Sequence, residues 1–166
     1  MEEKGYGSDD ALAWIARQWQ RQSDGAGISL AIADAASDEA LGCVGLLYRP
    51  EAGLVPAADS GGVGLRFEPD RAMMGIGYWV IERARGRGLA TRAVSLLTDW
   101  ALEEAGIARV EALTEPENAA SQQVLEHSGF VREGRLASYL VVPDGRSDAL
   151  IYARAVTVRV PRLRAL

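Results

Sequence analysis

One ten-residue segment of the chain contains four arginines and two glycines. It follows an apolar stretch and precedes a stretch with helical periodicity. The arginines are Arg83, Arg85, Arg87 and Arg92, and the glycines among them are Gly86 and Gly88. Glycines permit close backbone approach, and N–H groups at a helix start together with guanidinium groups attract anions. The segment therefore predicts an anion site. Because the chain carries a net charge of −5, this local cluster favours a small phosphorylated cofactor over a long polyanion.

The common phosphate-binding motifs do not match this segment. No Gly-Lys-Ser/Thr follows the loop, so the Walker motif is absent. The dinucleotide fingerprint also fails, because Thr91 stands where its third glycine should be. A glycine-rich solvated turn with surface arginines remains the alternative interpretation.

A second polar pattern opens the helix that follows the next strand. Asn118 is placed to be its N-cap, and Ser121 comes three residues later, in the first turn. Capping alone would explain both residues. His127, near the end of the same helix, is expected to be exposed and not catalytic.

Composition limits the classes of protein. At 166 residues the chain is expected to form one domain over residues 1–160, with a frayed tail at 161–166. A pI near 5.0 argues against nucleic acid or an anionic membrane as partner. Cys43 is the only cysteine and His127 the only histidine, so we expect no internal disulfide, a buried Cys43 and no metal. The first ten residues are polar and no apolar run could span a bilayer, so a cytoplasmic protein is expected.

Periodicity predicts a mixed succession of helices and strands. The first helix should run from Ser8 to Gln22, with Leu12, Ile15 and Trp19 facing a core. Strands are expected at 28–33 and 41–48, paired as a hairpin, then a loop at 50–64 with a short strand at 63–67. There follow a central strand at 73–81, a helix at 89–105, a strand at 107–114, a helix from 118 to 129, and extended stretches at 130–142 and 148–160 joined by an Asp-Gly turn at 143–146. This order predicts an α/β or α+β three-layer domain.

Taken together, the two motifs resemble the GCN5-related N-acetyltransferase (GNAT) family, most closely its Rim-type subgroup of ribosomal-protein N-terminal acetyltransferases. The matching patterns are Arg85-x-x-Gly88-x-Ala90, Asn118-x-x-Ser121, Gly129-Phe130, Gly77-Tyr78-Trp79 and Glu126 with Glu133-Gly134. The resemblance covers about residues 28–158. It implies a mixed, mostly antiparallel sheet with helices on both faces, and central strands that splay apart to hold acetyl-CoA.

The family's cofactor contacts carry over to particular positions of this chain. The backbone of Trp79, Val80 and Ile81 would pair with the pantetheine arm, and the pyrophosphate would lie on Arg85, Gly86, Arg87, Gly88, Leu89 and Ala90. Asn118 would bond the pantetheine. Ser121 would lie near the thioester sulfur as a candidate catalytic residue, whose hydroxyl would help the thiolate leave. Arg83 or Arg92 would reach the 3′-phosphate.

The chain departs from the family at the general base. Many members carry a glutamate where this chain has Gly75. Glu111 on the next strand is a candidate base, with a solvated strand position as its alternative. Tyr139 is a candidate general acid, with a core or rim position as its alternative. Water could instead relay the proton.

A second departure is expected at the start, because family members usually have a strand and a helix before the point where this sequence begins. Either the start is misplaced or this member has lost part of the wall on its acceptor side. The strand at 28–33 should then be an open edge, which predicts self-association, for example as a homodimer, or a weakly stable monomer. The leading functional hypothesis is an acyltransferase that moves an acetyl group from acetyl-CoA to a primary amine, either a protein N-terminus or a small amine. The alternatives are an acyl-CoA-binding sensor or relic without turnover, and a structural interaction protein.

Overall fold

The computed structural model describes residues 8–48, 73–143 and 145–156. The helices are α1 (Ser8–Ser23), α2 (Leu89–Glu103) and α3 (Ala119–His127), with a 3₁₀ turn at Glu82–Ala84. The strands are β1 (Gly27–Ala33), β2 (Ala40–Tyr48), β3 (Met73–Val80), β4 (Arg109–Thr114), β5 (Val131–Val142) and β6 (Gly145–Ala155). The predicted loop at 50–64, the short strand at 63–67 and the tail at 161–166 lie outside the described residues.

The six strands form one sheet in the order β1-β2-β3-β4-β6-β5. Only β3 and β4 are parallel, and all the other neighbours are antiparallel. These two strands pair only where residues 73–75 meet residues 109–111, and beyond that point they separate. The predicted mixed, mostly antiparallel sheet with splayed central strands is therefore confirmed.

Helices α2 and α3 cover one face of the sheet and enclose the core. The largest fully buried apolar side chains are those of Leu46, Val94, Val110, Leu125 and Tyr152. The helical spacing correctly predicted the buried face of α2. The backbone turns left-handed at Gly106 (φ 71°) soon after that helix, as its predicted stop requires.

Helix α1 lies on the opposite face, over β1. Ile28 packs with the core on the α2 side, so the alternation along β1 directs Ser29 to the other face. The Ser29 hydroxyl donates to Oε1 of Gln18 over 2.9 Å, and this contact joins strand and helix. Helices therefore flank the sheet on both faces, as expected.

The predicted buried face of α1 was wrong. Leu12, Ile15 and Trp19 are 63, 42 and 74 % exposed, whereas Gln18 is buried at 7 %. A buried amide must keep its hydrogen bonds, and Gln18 bonds both to Ser29 and to the Trp14 carbonyl of its own helix. This polar contact turns the apolar stripe outward.

Two sequence predictions concern the ends of the described sheet: the open edge at β1 and the turn between β5 and β6. Strand β1 is one edge of the described sheet, as the sequence predicted. In the β5–β6 hairpin, Val142 pairs with Gly145. Gly145 therefore belongs to β6 and not to the expected Asp-Gly turn. No helix of the described residues is both long and apolar enough to span a membrane.

Candidate functional site

A cleft of about 520 Å³ opens where β3 leaves β4, between the loop before α2 and the first turns of α3. Nine of the expected cofactor residues line it: Trp79, Val80, Arg85, Gly86, Gly88, Leu89, Ala90, Asn118 and Ser121. The structure therefore brings the two sequence motifs to one cavity. His127 lies at the same cleft and is exposed, as expected.

The loop before α2 has the geometry of an anion site. Gly86 and Gly88 both have φ 72°, and a Cβ atom at either position would meet nothing within 4 Å. The first helical hydrogen bond of α2 runs from the Arg92 N–H to the Gly88 carbonyl over 3.0 Å. The N–H groups of residues 89–91 therefore have no helical acceptor and are available to an anion.

The end of β3 presents fewer backbone groups to the cleft than the sequence suggested. The Ile81 N–H donates to the Leu41 carbonyl over 2.9 Å, so Ile81 and Trp79 turn their backbone groups toward β2. Alternation then turns the backbone of Tyr78 and Val80 toward the gap beside β4. Of the three residues expected to pair with a pantetheine arm, only Val80 has the required orientation, and Tyr78 joins it.

The four arginines do not converge on the cleft. Arg85 lines it, and its Nε donates to the Val80 carbonyl over 3.0 Å. Arg83 instead forms an ion pair with Glu39 of the β1–β2 turn. Arg87 and Arg92 line a separate, mostly apolar groove of about 690 Å³ between β1 and α2. The expected contacts of Arg83, Arg87 and Arg92 with a cofactor are thus not supported by this arrangement.

Asn118 and Ser121 share the first turn of α3. The Asn118 Oδ1 accepts a hydrogen bond from the Ser121 N–H at 3.0 Å, which confirms the predicted N-cap. Capping uses only this oxygen, so the side-chain NH₂ of Asn118 can still donate into the cleft.

Tyr78 completes this arrangement, and sequence reasoning did not give it a chemical role. Its hydroxyl lies 2.8 Å from Ser121 Oγ and 3.2 Å from the Ser121 carbonyl oxygen. Burial raises the pKa of Tyr78 above its ordinary value, so the hydroxyl stays protonated at neutral pH. The alternation of side chains along the strand could have predicted that Tyr78 lies on the face covered by helices. No local sequence pattern predicts its contact with Ser121.

A second, smaller cavity of about 250 Å³ adjoins the cleft. The two cavities share only Tyr78, Asn118 and Ser121. The second lies in the gap between the splayed strands and is also lined by Thr114, Glu115 and Leu140, among others. Tyr78, Asn118 and Ser121 therefore stand at the boundary between a cavity lined by Arg85 and one lined by Glu115.

The two other candidate catalytic residues line neither cavity. Glu111 is only 7 % exposed, and its carboxylate accepts from Arg109 Nε at 2.8 Å. It faces away from the core because its neighbours Val110 and Ala112 face toward it. Tyr139 lies in the irregular stretch of β5 between Leu136 and Leu140. The base and acid roles considered for these two residues thus gain no support from their positions.

Residues that could hold a metal are not grouped in the part of the chain that the structure describes. No set of three or more His, Cys, Asp or Glu side chains comes together there. Cys43, expected to be buried, is partly exposed, and desolvation raises the pKa of its thiol.

Comparison with known proteins identifies the class of this fold and site. The profile of the Acetyltransferase (GNAT) domain family matches residues 3–131. The chain therefore belongs to the GNAT family, and the resemblance seen in the sequence is confirmed.

The curated relatives include a ribosomal-protein acetyltransferase, the kind of enzyme to which the sequence resemblance points. The chain is 30 % identical over 91 residues to the ribosomal-protein-serine acetyltransferase of Escherichia coli (strain K12), covering 55 % of this chain and 51 % of that protein. It is 42 % identical over 59 residues to "Probable N-acetyltransferase YjcK" of Bacillus subtilis (strain 168), covering 36 % and 33 %. The matches thus span about a third to a half of these relatives.

The fold agrees over a larger part of the chain. A ribosomal-protein-S5-alanine acetyltransferase from Vibrio fischeri superposes with a TM-score of 0.75 at 17 % identity, over 97 % of this chain and 80 % of that one. Mycobacterium smegmatis RimJ in complex with CoA-disulfide superposes with a TM-score of 0.70 at 24 % identity, over 89 % and 61 %.

Proposed function

We propose that this chain is an acyltransferase that moves the acetyl group of acetyl-CoA to a primary amine. The observation that carries the proposal is the cleft at the splayed strands, with the Gly86–Gly88 loop at one end and Ser121 at the other. Membership of the GNAT family supports it.

The cofactor's phosphates are assigned to the loop. The free N–H groups at the start of α2 and the Arg85 guanidinium supply donors for the pyrophosphate, and Gly86 and Gly88 leave room for it. The gap-facing backbone of Tyr78 and Val80 would add the pantetheine arm like a strand. The Asn118 NH₂, which capping leaves unused, would bond the pantetheine. The relative solved with CoA-disulfide supports a coenzyme A ligand.

The chemistry takes place at the boundary of the two cavities. A neutral amine attacks the thioester carbonyl, the new C–N bond forms, the C–S bond breaks, and the sulfur leaves as a thiolate that takes up a proton. The Ser121 hydroxyl, which lies at this boundary, would donate a proton to the leaving sulfur. The amine must also lose a proton, and water in the second cavity is our proposed acceptor, because Glu111 lines neither cavity and is already paired with Arg109.

The acceptor amine is assigned to the second cavity. Glu115 in its wall would attract a protonated amine, whereas Arg85 on the other side would attract the cofactor. The ribosomal-protein acetyltransferases among the relatives support a peptide N-terminus as acceptor, and a small amine is the alternative. The lone cysteine supports a cytoplasmic site of action. The edge position of β1 supports self-association, which light scattering would test.

The test has two independent measurements on the full chain. Calorimetry would measure acetyl-CoA binding, and release of free thiol would be followed with peptides bearing different N-termini and with a panel of small amines. Amine-dependent thiol release supports the transferase. Tight binding without release across the panel would support the acyl-CoA sensor, and absence of binding would exclude both.

A further inference from the structure

Tyr78 and Ser121 are 43 positions apart in the chain, yet their hydroxyl oxygens lie 2.8 Å apart at the boundary of the two cavities. We propose that Tyr78 is a positioning residue, which holds the Ser121 hydroxyl so that its proton is directed at the leaving sulfur. The proposal rests on the acetyl transfer proposed above and adds a residue to it.

The hydrogen bonds around Tyr78 permit two arrangements. In the first, Tyr78 donates to the Ser121 carbonyl at 3.2 Å, and Ser121 Oγ–H donates to Tyr78, which uses up the serine proton. In the second, Tyr78 donates to Ser121 Oγ, and the serine proton is free to point into the cleft. The second arrangement makes Ser121 a stronger donor, because accepting one hydrogen bond polarises the group for the next.

Without Tyr78 the serine would have another partner. Ser121 lies in the first turn of α3, and a serine hydroxyl in a helix readily turns back to a carbonyl one turn earlier. A phenol held by its own strand prevents this rotation. Tyr78 is suited to that task because burial keeps its hydroxyl protonated and β3 fixes its ring.

The arrangement predicts a particular kinetic signature. Loss of a contact that matters mainly as charge develops on sulfur lowers kcat and leaves the KM for acetyl-CoA nearly unchanged. Tyr78→Phe removes only the hydroxyl. We expect a fall in kcat of about five- to tenfold, the size of one neutral hydrogen bond.

A double-mutant cycle tests whether Tyr78 acts through Ser121. Tyr78→Phe, Ser121→Ala and the double variant would be assayed for kcat and KM. Because the tyrosine acts only by orienting the serine, adding Tyr78→Phe to Ser121→Ala should change kcat less than twofold. Effects that multiply would show that the two residues act independently and would overturn the proposal, as would a Tyr78→Phe variant that changes only KM.

Tyr152 provides the matched control. It is fully buried, and its hydroxyl donates to the Glu126 carboxylate over 3.2 Å outside both cavities. Tyr152→Phe removes a buried phenol hydrogen bond and should leave kcat unchanged below its melting temperature. A similar loss of kcat in both variants would mean general destabilisation and would overturn the role of Tyr78. Absence of turnover in the unaltered chain would instead overturn the proposed function, and this inference with it.

Discussion

The Arg85 side chain folds back on the strand that precedes it, with its Nε 3.0 Å from the carbonyl oxygen of Val80. This contact ties the start of the loop to the end of β3, at the point where the strand's free edge faces the cleft. Arg85 therefore contributes both a positive charge and the position of the loop.

We expect Arg85→Gln to weaken acetyl-CoA binding about tenfold, because it removes a charged donor from the phosphate end of the cleft. Arg83→Gln is the matched control, since Arg83 is paired with Glu39 and does not line the cleft. Calorimetry on both variants is the measurement. If both variants lose acetyl-CoA affinity equally, only the local positive charge matters, and the assignment of a specific contact to Arg85 is wrong.

The loop itself is tested by Gly88→Glu. A side chain and a negative charge at this position should weaken acetyl-CoA binding by tenfold or more, a loss of about 1.4 kcal/mol. Gly106→Glu is the control, because Gly106 has nearly the same φ (71° against 72°) and equally open surroundings at the other end of α2. Both variants place a glutamate in the same left-handed backbone conformation, so Gly106→Glu shows the effect of this strain alone. Unchanged acetyl-CoA affinity in a folded Gly88→Glu protein would refute the assignment of the phosphates to this loop.

Two substitutions separate the capping role of Asn118 from cofactor binding. Asn118→Asp retains the side-chain oxygen that accepts the Ser121 N–H, so stability should change little. It loses the NH₂ donor, so the KM for acetyl-CoA should rise severalfold. Asn118→Ala loses both groups and should also cost about 0.5–2 kcal/mol of stability. If the aspartate variant keeps the original KM, Asn118 serves only as a cap.

The acceptor side is tested by Glu115→Gln. We expect a higher KM for the amine and an unchanged KM for acetyl-CoA, because Glu115 lines the second cavity and not the cleft. Glu117→Gln removes an exposed carboxylate two residues away that lines neither cavity, and it should have no effect. Identical behaviour of the two variants in steady-state assays would argue against amine recognition by Glu115.

Acid stability is expected to depend on the ion pair between Arg109 of β4 and Glu133 of β5. The Arg109 guanidinium holds the pKa of Glu133 below its ordinary value. A lowered folded-state pKa stabilises the protein above the unfolded value, and this stabilisation is lost as the pH falls through the folded-state pKa.

Glu133→Gln should therefore lower the urea midpoint at pH 7, and the deficit should shrink between pH 7 and pH 3 as the carboxyl takes up protons. The effect at pH 7 should stay below about 1 kcal/mol, because the pair is partly exposed to solvent. Glu103→Gln, at an exposed position of α2, is the control. An equal deficit at both pH values would assign the effect to packing.

Features determined by neighbouring residues were accessible from the sequence. The Asn118 cap, the Gly88 turn and the buried face of α2 depend on residues within one or two helical turns, so local patterns predicted them. The separation of β3 from β4 was expected only from the family resemblance.

Features determined by distant residues were not accessible in this way. Arg83 is a loop arginine like its neighbours, and only the fold brings Glu39 to it. The orientation of α1 depended on one polar contact, between Gln18 and Ser29, which periodicity does not register. Tyr78 and Ser121 meet across two elements with no shared local pattern.

Strands β3 and β4 pair over only three residues each, so few hydrogen bonds join the two halves of the described sheet. Strands β1, β2 and β3 form one half, and strands β4, β6 and β5 form the other. Within each half, neighbouring strands are antiparallel and pair over more residues than β3 and β4 do. The boundary between the two halves has the fewest paired residues in the described sheet. A ligand bound in the cleft would contact β3 of one half and α3, which packs on β4 and β5 of the other half, and would so hold the two halves together. Occupancy of the cleft would then raise the unfolding temperature as well as supply a reactant.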